Sequence, residues 1–329
     1  MNEYSEEKKK LLREFAKHYE VEFKEFGIRF SNIRHYEQLA PYMPNLTENA
    51  LDVLARAIEV YGGVSLEDFI DALNNGATRT RDNRVILGKI PGYPIYPTTF
   101  DNLIRNLQAL KNRGVFDAGK ELPIKDFVEP GKVVIIYMEH LTEHQKQIFE
   151  HYIMYNIYRN KTKVENPGVF IVIDEAHSVI PKKSPPGSYK HYADEVARIF
   201  SKIAREGRKY GINLLVSTHM PRDIHPVVYD LCGTKISFRI SIDDAKELGM
   251  PPEIASQIAQ YNKGFALANS PENSDISGTI PWLEIKTVMP KALHIEPKKF
   301  FDMLREELPK IRDQKVPEEV KKIREKLKS

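Results

Sequence analysis

The 329-residue sequence contains a single cysteine, Cys232, so an internal disulfide framework is excluded. One unpaired thiol suits a reducing compartment. Its neighbour Leu231 is apolar, and a cysteine in such a place is typical of a small buried hydrophobe rather than of a nucleophile. The class of small, disulfide-stapled secreted domains is therefore excluded.

Long apolar runs are also missing, and none approaches the ~18 residues that a membrane span requires. The N-terminus begins MNEYSEEKKK, which is too charged for a signal peptide. The sequence therefore predicts a cytoplasmic protein without a membrane segment. Its net charge is only +3, from 49 Lys+Arg against 46 Asp+Glu, so any surface that binds nucleic acid must be local.

A phosphate-binding loop of the form G-x-x-x-x-G-K-[ST] is absent as well. That loop wraps the β-phosphate of a nucleotide with glycine backbone, and it supplies a lysine for the phosphates and a hydroxyl for Mg²⁺. Three Gly-Lys pairs occur near a suitable position, but none is followed by a hydroxyl residue: Gly88-Lys89, Gly119-Lys120 and Gly131-Lys132. The chain by itself is not expected to hold the phosphates of a nucleotide.

Two adjacent carboxylates follow an apolar run in the middle of the chain. The run Val169–Ile173 leads directly into Asp174 and Glu175. Five apolar residues fit a strand of a parallel α/β sheet that is buried on both faces. Ligands of open α/β sheets bind at the carboxyl ends of the strands, so both acids are candidate site residues. His177 is expected to start a helix or line an interface, because no second His or Cys lies at metal-ligand spacing.

A second strand with a polar end follows. Residues 194–206 predict a helix, whose apolar positions are Val196, Ile199, Phe200 and Ile203. An arginine-containing turn separates this helix from the apolar strand Ile212–Val216, and Ser217, Thr218 and His219 come directly after the strand. The alternation of strand and helix indicates parallel pairing through crossover connections.

This order of elements resembles the HerA/FtsK family of hexameric DNA-pumping ATPases. Residues 130–138 look like the strand that precedes the Asp-Glu strand in that family, and residues 235–240 look like the strand that follows. Residues 264–268 resemble the later glycine-centred hairpin, so the match covers about residues 45 to 290. The resemblance implies an α/β fold with a RecA-like, mostly parallel sheet and flanking helices, preceded by a helical insertion. The phosphate loop of the family lies N-terminal to the matched region, so the chain looks like the C-terminal portion of such a protein.

The resemblance assigns roles at the ends of the two strands. Asp174 would orient Mg²⁺ through water, and Glu175 would polarise the water that attacks ATP. Thr218 and His219 stand where the family usually carries Thr-Gln, so His219 departs from the pattern. An imidazole can still donate a hydrogen bond there.

The resemblance also implies a ring, expected to be a hexamer, that acts on double-stranded DNA. Arg208 corresponds to the arginine that such motors project into the nucleotide of a neighbouring subunit, where a guanidinium stabilises charge on the γ-phosphate. Arg205 and Arg239 are rivals for this role. The interpretation of each as an ordinary surface arginine stays open.

A basic loop follows the Asp-Glu strand. It contains Lys182, Lys183 and Lys190 together with aromatic residues, and it could contact a phosphate backbone without regard to base sequence. An ordinary solvated connection explains the same composition equally well.

The chain divides into three predicted regions. Residues 1–130 are mainly helical, residues 131–290 form the RecA-like portion with a first strand over 133–138, and residues 291–329 form a charged helical tail. Thr47, Ser65 and Thr142 are expected to cap helices, and Thr142 with Gln145 has the form of a capping box.

Two kinds of explanation for the missing phosphate loop stay open. The chain is either a fragment or split-gene product whose phosphate-loop half lies in another polypeptide, or a protein that has lost ATP binding. The preferred function is accordingly part of an ATP-driven DNA translocase or helicase. The alternatives are a non-catalytic interaction module that binds a partner ATPase or nuclease, and an ATPase of the conjugation or secretion type.

Overall fold

The structure is a computed structural model that describes residues 24–43, 46–90, 94–121, 123, 127–128, 131–160, 168–186, 192–274, 281–288, 302 and 305. Its α-helices are α1 (Glu48–Tyr61), α2 (Leu66–Gly76), α3 (Pro97–Asn112), α4 (Glu143–Arg159), α5 (Ala176–Val179), α6 (Tyr192–Glu206), α7 (Pro226–Leu231), α8 (Ile242–Glu247) and α9 (Pro252–Ile258). Its strands are β1 (Ala77–Arg79), β2 (Val85–Leu87), β3 (Val169–Ile173), β4 (Ile212–Val216), β5 (Lys235–Ser237), β6 (Phe265–Asn269) and β7 (Leu283–Lys286). The predicted structure of residues 1–23 and of nearly all of the tail 291–329 lies outside the described residues.

Side-chain caps begin three helices at the predicted residues. The hydroxyl of Thr47 accepts a hydrogen bond from a backbone N–H in the first turn of α1 (3.3 Å), and that of Ser65 does the same in α2 (3.1 Å). At α4 the capping box is complete, since Gln145 N donates to the Thr142 hydroxyl and Thr142 N donates to the Gln145 side chain. These bonds satisfy amides that would otherwise lack a partner at a helix start.

Strands β3 and β4 form the predicted parallel pair. The register runs from Val169 opposite Ile212 to Ile173 opposite Val216, and α6 connects the two strands. The predicted apolar positions of α6 are all buried in the core that also contains Ile173 and Ile212: Val196, Ile199, Phe200 and Ile203. This packing fixes one face of the strand pair.

The opposite face of the β3–β4 pair is exposed. Phe170, Val172 and Leu215 are 62%, 61% and 45% exposed. Parallel strands are ordinarily covered on both faces, which is why they carry continuous apolar runs. Among the described residues, only one face of this strand pair is covered by packed side chains.

The predicted strand over residues 133–138 is wrong. These residues form no strand in the structure, and Val133 and Ile135 are 80% and 64% exposed. An apolar run favours a strand, but a strand exists only where a neighbouring backbone exchanges hydrogen bonds with it. No described strand pairs with this segment.

The predicted α/β class is confirmed, and the parallel pairing is found at β3–β4. The other described strands pair antiparallel, as the hairpin β1–β2 and as the sheet β5–β6–β7. Within the part of the chain that the structure covers, no helix has both the length and the apolar character needed to cross a membrane.

The described residues form two hydrophobic cores. The larger joins residues between Ile28 and Val228, so it packs the N-terminal helices against α4 and α6. The smaller holds residues that follow β5: Ala245, Met250, Ala255, Ile258 and Leu267. The division into regions at residues 130 and 290 stays a prediction.

His151 of α4 is buried in the larger core without polar partners. Its side chain is 2% exposed, and neither ring nitrogen has a hydrogen-bond partner among the described residues. The ring packs against Tyr42 and Tyr155 at centroid distances of 5.2 and 6.1 Å. Burial, reinforced by the positive charge of Arg198, lowers the pKa of His151 to about 3. The imidazole is therefore neutral in the folded protein at neutral pH.

We expect acid to destabilise the fold through His151. The unfolded chain protonates this imidazole near pH 6.5, whereas the folded protein does so only near pH 3, so stability is lost as the pH falls between these values. Between pH 6.5 and 4.5 the contribution to the free energy of unfolding should drop by about 2–3 kcal/mol. Urea unfolding of the wild type and of His151→Phe at both pH values measures this drop in the free energy of unfolding. The variant has no imidazole at position 151, so it should not show the drop.

The exposed His140 provides the matched control, and His140→Phe should lose as much stability as the wild type. Burial raises the pKa of the neighbouring Glu150 to about 7, which stabilises the fold on acidification. That opposing effect is present in all three proteins and cancels in the comparison. An equal loss in the wild type and in His151→Phe would contradict the assignment to His151.

Candidate functional site

The candidate site lies where β3 and β4 end. Asp174 and Glu175 follow β3, and Ser217, Thr218 and His219 follow β4. Because the two strands are parallel and in register, both sets of residues lie at the same edge of the pair. Backbone hydrogen bonds hold together the segments that follow the two strands. Ser217 N donates to Ile173 O and Ala176 N donates to Ser217 O, both at 2.9 Å. The predicted convergence of polar groups at this edge is therefore present.

Asp174 presents one free carboxylate oxygen to solvent. The Ser217 hydroxyl and the backbone N–H of Glu175 both donate to Oδ1, while Oδ2 makes no hydrogen bond to a described residue. An exposed carboxylate oxygen is a ligand type that Mg²⁺ prefers, directly or through water. No role was predicted for Ser217, although its position directly after a strand parallel to β3 is the signal for this contact.

Glu175 has an unusual backbone conformation. Its φ of 51° and ψ of 47° are left-handed, and it is the residue from which the short helix α5 departs. This conformation is uncommon outside glycine. The Glu175 side chain is 52% exposed, and its Oε2 lies 2.6 Å from Nδ1 of His219, which donates to it. His219 thus engages one oxygen of Glu175 and leaves the other open.

His177 joins the same group of side chains. Its Nδ1 lies 3.4 Å from Glu175 Oε2 and 3.2 Å from the Thr218 hydroxyl, and the rings of His177 and His219 meet edge to face at 5.0 Å. His177 lies in the short helix α5, and no second histidine lies at ligand spacing from it in the sequence, but the fold places His219 beside it. The two histidines are distant in sequence, and only the parallel pairing of β3 and β4 brings them together.

The three candidate arginines lie elsewhere. Arg205 is in the last turn of α6 and Arg208 is in the 3₁₀ turn Gly207–Tyr210, so both precede β4 and lie at its amino end. Strand β4 separates them from the Asp-Glu end by about 13 Å at ~3.3 Å per residue. Arg239 follows β5. All three are exposed, and none forms a side-chain ion pair with another described residue.

The basic loop is described only in part. Lys182 forms an ion pair with Glu247 at 2.9 Å, and Lys183 is exposed. Arg222 lies near the same Glu247 carboxylate, at 3.5 Å. Lys190 lies outside the described residues. Among the described lysines of this loop, Lys183 is therefore the more available for an external phosphate.

Comparison with known proteins gives similarity over limited stretches. No protein family model matches the sequence. The probable DNA double-strand break repair helicase HerA of Methanocaldococcus jannaschii is 33% identical over 85 residues, which are 26% of this chain and 15% of that protein. The DNA double-strand break repair helicase HerA of Sulfurisphaera tokodaii is 30% identical over 125 residues, or 36% of this chain and 23% of that protein. The matches thus span less than a quarter of each relative.

A solved structure shares the fold over a larger part of the chain. VirB4 of Thermoanaerobacter pseudethanolicus superimposes with a TM-score of 0.54 at 12% identity, over 78% of this chain and 68% of that one. At this identity the similarity concerns the fold alone. Together with the matches to HerA helicases, it confirms the predicted resemblance to HerA/FtsK-like ATPases, over a part of such a protein.

Proposed function

We propose that this chain supplies the cation-orienting and water-activating side chains of a HerA/FtsK-like, ATP-driven DNA translocase or helicase. One observation carries the proposal. Asp174 and Glu175 stand beside Thr218 and His219 at the shared carboxyl end of a parallel strand pair, the edge at which α/β proteins bind ligands. The resemblance to HerA helicases supports the same conclusion.

Each side chain has a separate task in this proposal. When bound, ATP would supply the electrophilic phosphoryl group and Mg²⁺ would neutralise charge on its oxygens. Asp174 offers Oδ2 to the hydrated cation while Ser217 holds Oδ1. Glu175 accepts a proton from the attacking water at Oε1, and His219 keeps the carboxylate in place through Oε2. Thr218 holds the turn after β4, since its hydroxyl accepts a hydrogen bond from Met220 N at 3.0 Å.

The chain's own residues fit the cation but not the phosphates. Gly114 and Gly119-Lys120 have the spacing of a phosphate loop, yet Glu121 stands where the hydroxyl belongs. Phe116 and Glu121 make isolated bridges to Ile28 and Gly27, and no described helix opens at this segment. A phosphate loop must therefore come from another segment, in the same polypeptide or in a partner chain.

The uncovered face of the β3–β4 pair supports this need for a further segment. Phe170, Val172 and Leu215 expose apolar surface that a parallel sheet normally buries. A phosphate-loop segment with its own strand and helix would cover such a face. The complete assembly in our proposal is a cytoplasmic ring, expected to be a hexamer, that moves along double-stranded DNA. Lys182, Lys183 and Lys190 are its candidate DNA contacts, and a nuclease is a candidate partner.

The isolated chain should bind ATP poorly and hydrolyse it negligibly, because the backbone cradle and the lysine for the phosphates are missing. Adding a segment that carries the phosphate loop of a HerA relative should restore turnover. Calorimetry with ATP and phosphate release at saturating Mg²⁺ measure both steps. A segment whose loop lysine is replaced by alanine is the control and should restore nothing.

Two other results would change the proposal. Robust hydrolysis by the isolated chain that Glu175→Gln abolishes would show that the chain has a phosphate site of its own. A segment that binds the chain tightly without restoring turnover would instead favour the non-catalytic interaction module.

A further inference from the structure

Two histidines and the carboxylate of Glu175 converge after β3 and β4, within reach of a single ion. The potential ligand atoms of Glu175, His177 and His219 all lie within 4.8 Å of one another. Within the group, Glu175 Oε2 is 2.6 Å from His219 Nδ1 and 3.4 Å from His177 Nδ1. We propose that these three side chains bind a divalent transition-metal ion, with Zn²⁺ as the best fit.

The donor set selects the kind of metal. Imidazole nitrogens with one carboxylate suit Zn²⁺, Ni²⁺ or Co²⁺, whereas Mg²⁺ and Ca²⁺ prefer oxygen ligands throughout. Bonds of about 2.0–2.1 Å in a tetrahedral site place the ligand atoms about 3.3 Å apart. The spacing of 3.4 Å between Glu175 and His177 already matches this value. The shorter contact between Glu175 and His219 contains a proton on Nδ1. When the metal ion binds Nδ1, the neutral imidazole carries that proton on Nε2 instead.

The backbone holds the three ligands close before any ion arrives. The hydrogen bond from Ala176 N to Ser217 O joins the two segments after β3 and β4 that carry the three ligands. His177 is 20% exposed and has the Thr218 hydroxyl 3.2 Å from Nδ1. His219 is 66% exposed, so it can turn toward the ion without disturbing the core. Three protein ligands leave a fourth position for water, as in zinc sites with an open coordination position.

The metal site differs from the Mg²⁺ position assigned to Asp174. Asp174 is not among the three converging residues, and its Oδ1 is held by Ser217. An ion bound at Oε2 of Glu175 draws negative charge from the same carboxylate and lowers the basicity of Oε1, the oxygen that would accept a proton from water. Such an ion therefore inhibits hydrolysis, a consequence that rests on the proposed function, whereas the metal site itself does not.

Direct binding tests the site without any need for hydrolysis. The untagged, full-length chain is titrated with Zn²⁺ by calorimetry and with Co²⁺ by its visible absorption. We expect one ion per chain and a Co²⁺ spectrum typical of nitrogen ligands. His177→Ala and His219→Ala should each weaken binding by about 10-fold or more, since loss of even an outer-shell partner costs this much. His140→Ala removes an exposed histidine elsewhere and should bind as the wild type does.

A second variant keeps the test decisive. His219→Gln preserves a hydrogen-bond donor toward Glu175 but offers a poor metal ligand, so it should retain the fold and the urea-unfolding midpoint while losing affinity. Unchanged Zn²⁺ affinity in His219→Gln, or in the double variant of His177 and His219, would overturn the proposal. Because binding is read directly, failure of the ATPase reconstitution would leave this result intact, and failure here would leave the proposed ATPase intact.

Discussion

Glu175→Gln should lower the turnover of the reconstituted ATPase by roughly 10²-fold or more, the scale expected when a positioned general base is lost. Glutamine keeps the size of the side chain and an oxygen that can accept the hydrogen bond from His219 Nδ1. It has no basic oxygen for the proton of the attacking water. Nucleotide affinity should therefore stay nearly unchanged, and single-turnover phosphate release together with ATP binding separates the two quantities.

Asp174→Ala is the informative comparison. The carboxylate of Asp174 is assigned to the cation, so its loss should weaken Mg²⁺-dependent nucleotide binding as well as turnover. Titration of Mg²⁺ at fixed ATP measures this difference between the two variants. Equal and mild effects of Asp174→Ala and Glu175→Gln would show that the acid pair is structural.

Arg208→Ala should abolish DNA-stimulated hydrolysis in the reconstituted ring, by about 10³-fold or more, while ATP affinity stays within a few-fold. The reason is geometric. Arg208 is exposed at the amino end of β4, and Glu175 lies at the carboxyl end of the pair, so one subunit's arginine lies at the opposite end of the strand pair from its own acids. In a closed ring such a surface can face the site of a neighbour. Lys209→Ala, a change at the exposed adjacent residue, is the matched control and should remain active.

Mixing experiments distinguish action in trans from a local effect. Rings that combine Arg208→Ala subunits with Glu175→Gln subunits contain some interfaces with an intact base and an intact arginine, so part of the activity should return. If subunits exchange and no activity returns, the assignment in trans is wrong. Arg205 and Arg239 would then be tested by the same mixing design.

The candidate site was predictable where a chemically suitable side chain directly follows a local sequence pattern for a strand or a helix. The run before Asp174 predicts a strand, the apolar positions of α6 predict the crossover helix, and parallel pairing then aligns the residues after both strands. Thr47, Ser65 and Thr142 predict helix starts for a similar reason, since a cap depends on residues three positions apart. All of these features are local or follow from one pairing rule.

The rest depended on contacts between distant parts of the chain. The segment 133–138 is apolar enough for a strand, but pairing depends on a partner edge that its own residues do not specify. The contact between His177 and His219 is invisible to ligand-spacing rules, because those rules count residues along one segment. The ion pair of Lys182 with Glu247 likewise joins a loop to α8 across a long stretch of sequence.

The left-handed backbone of Glu175 has a consequence for laboratory evolution. A side chain with a Cβ at φ 51° costs about 1–2 kcal/mol that glycine would not incur. The residue that best suits the backbone at this position is therefore not the one that can accept a proton. A library selected only for heat resistance would drift toward glycine at position 175, and the proposed role of Glu175 then predicts stable proteins without turnover. Selection must also require turnover in every round if Glu175 is to be retained.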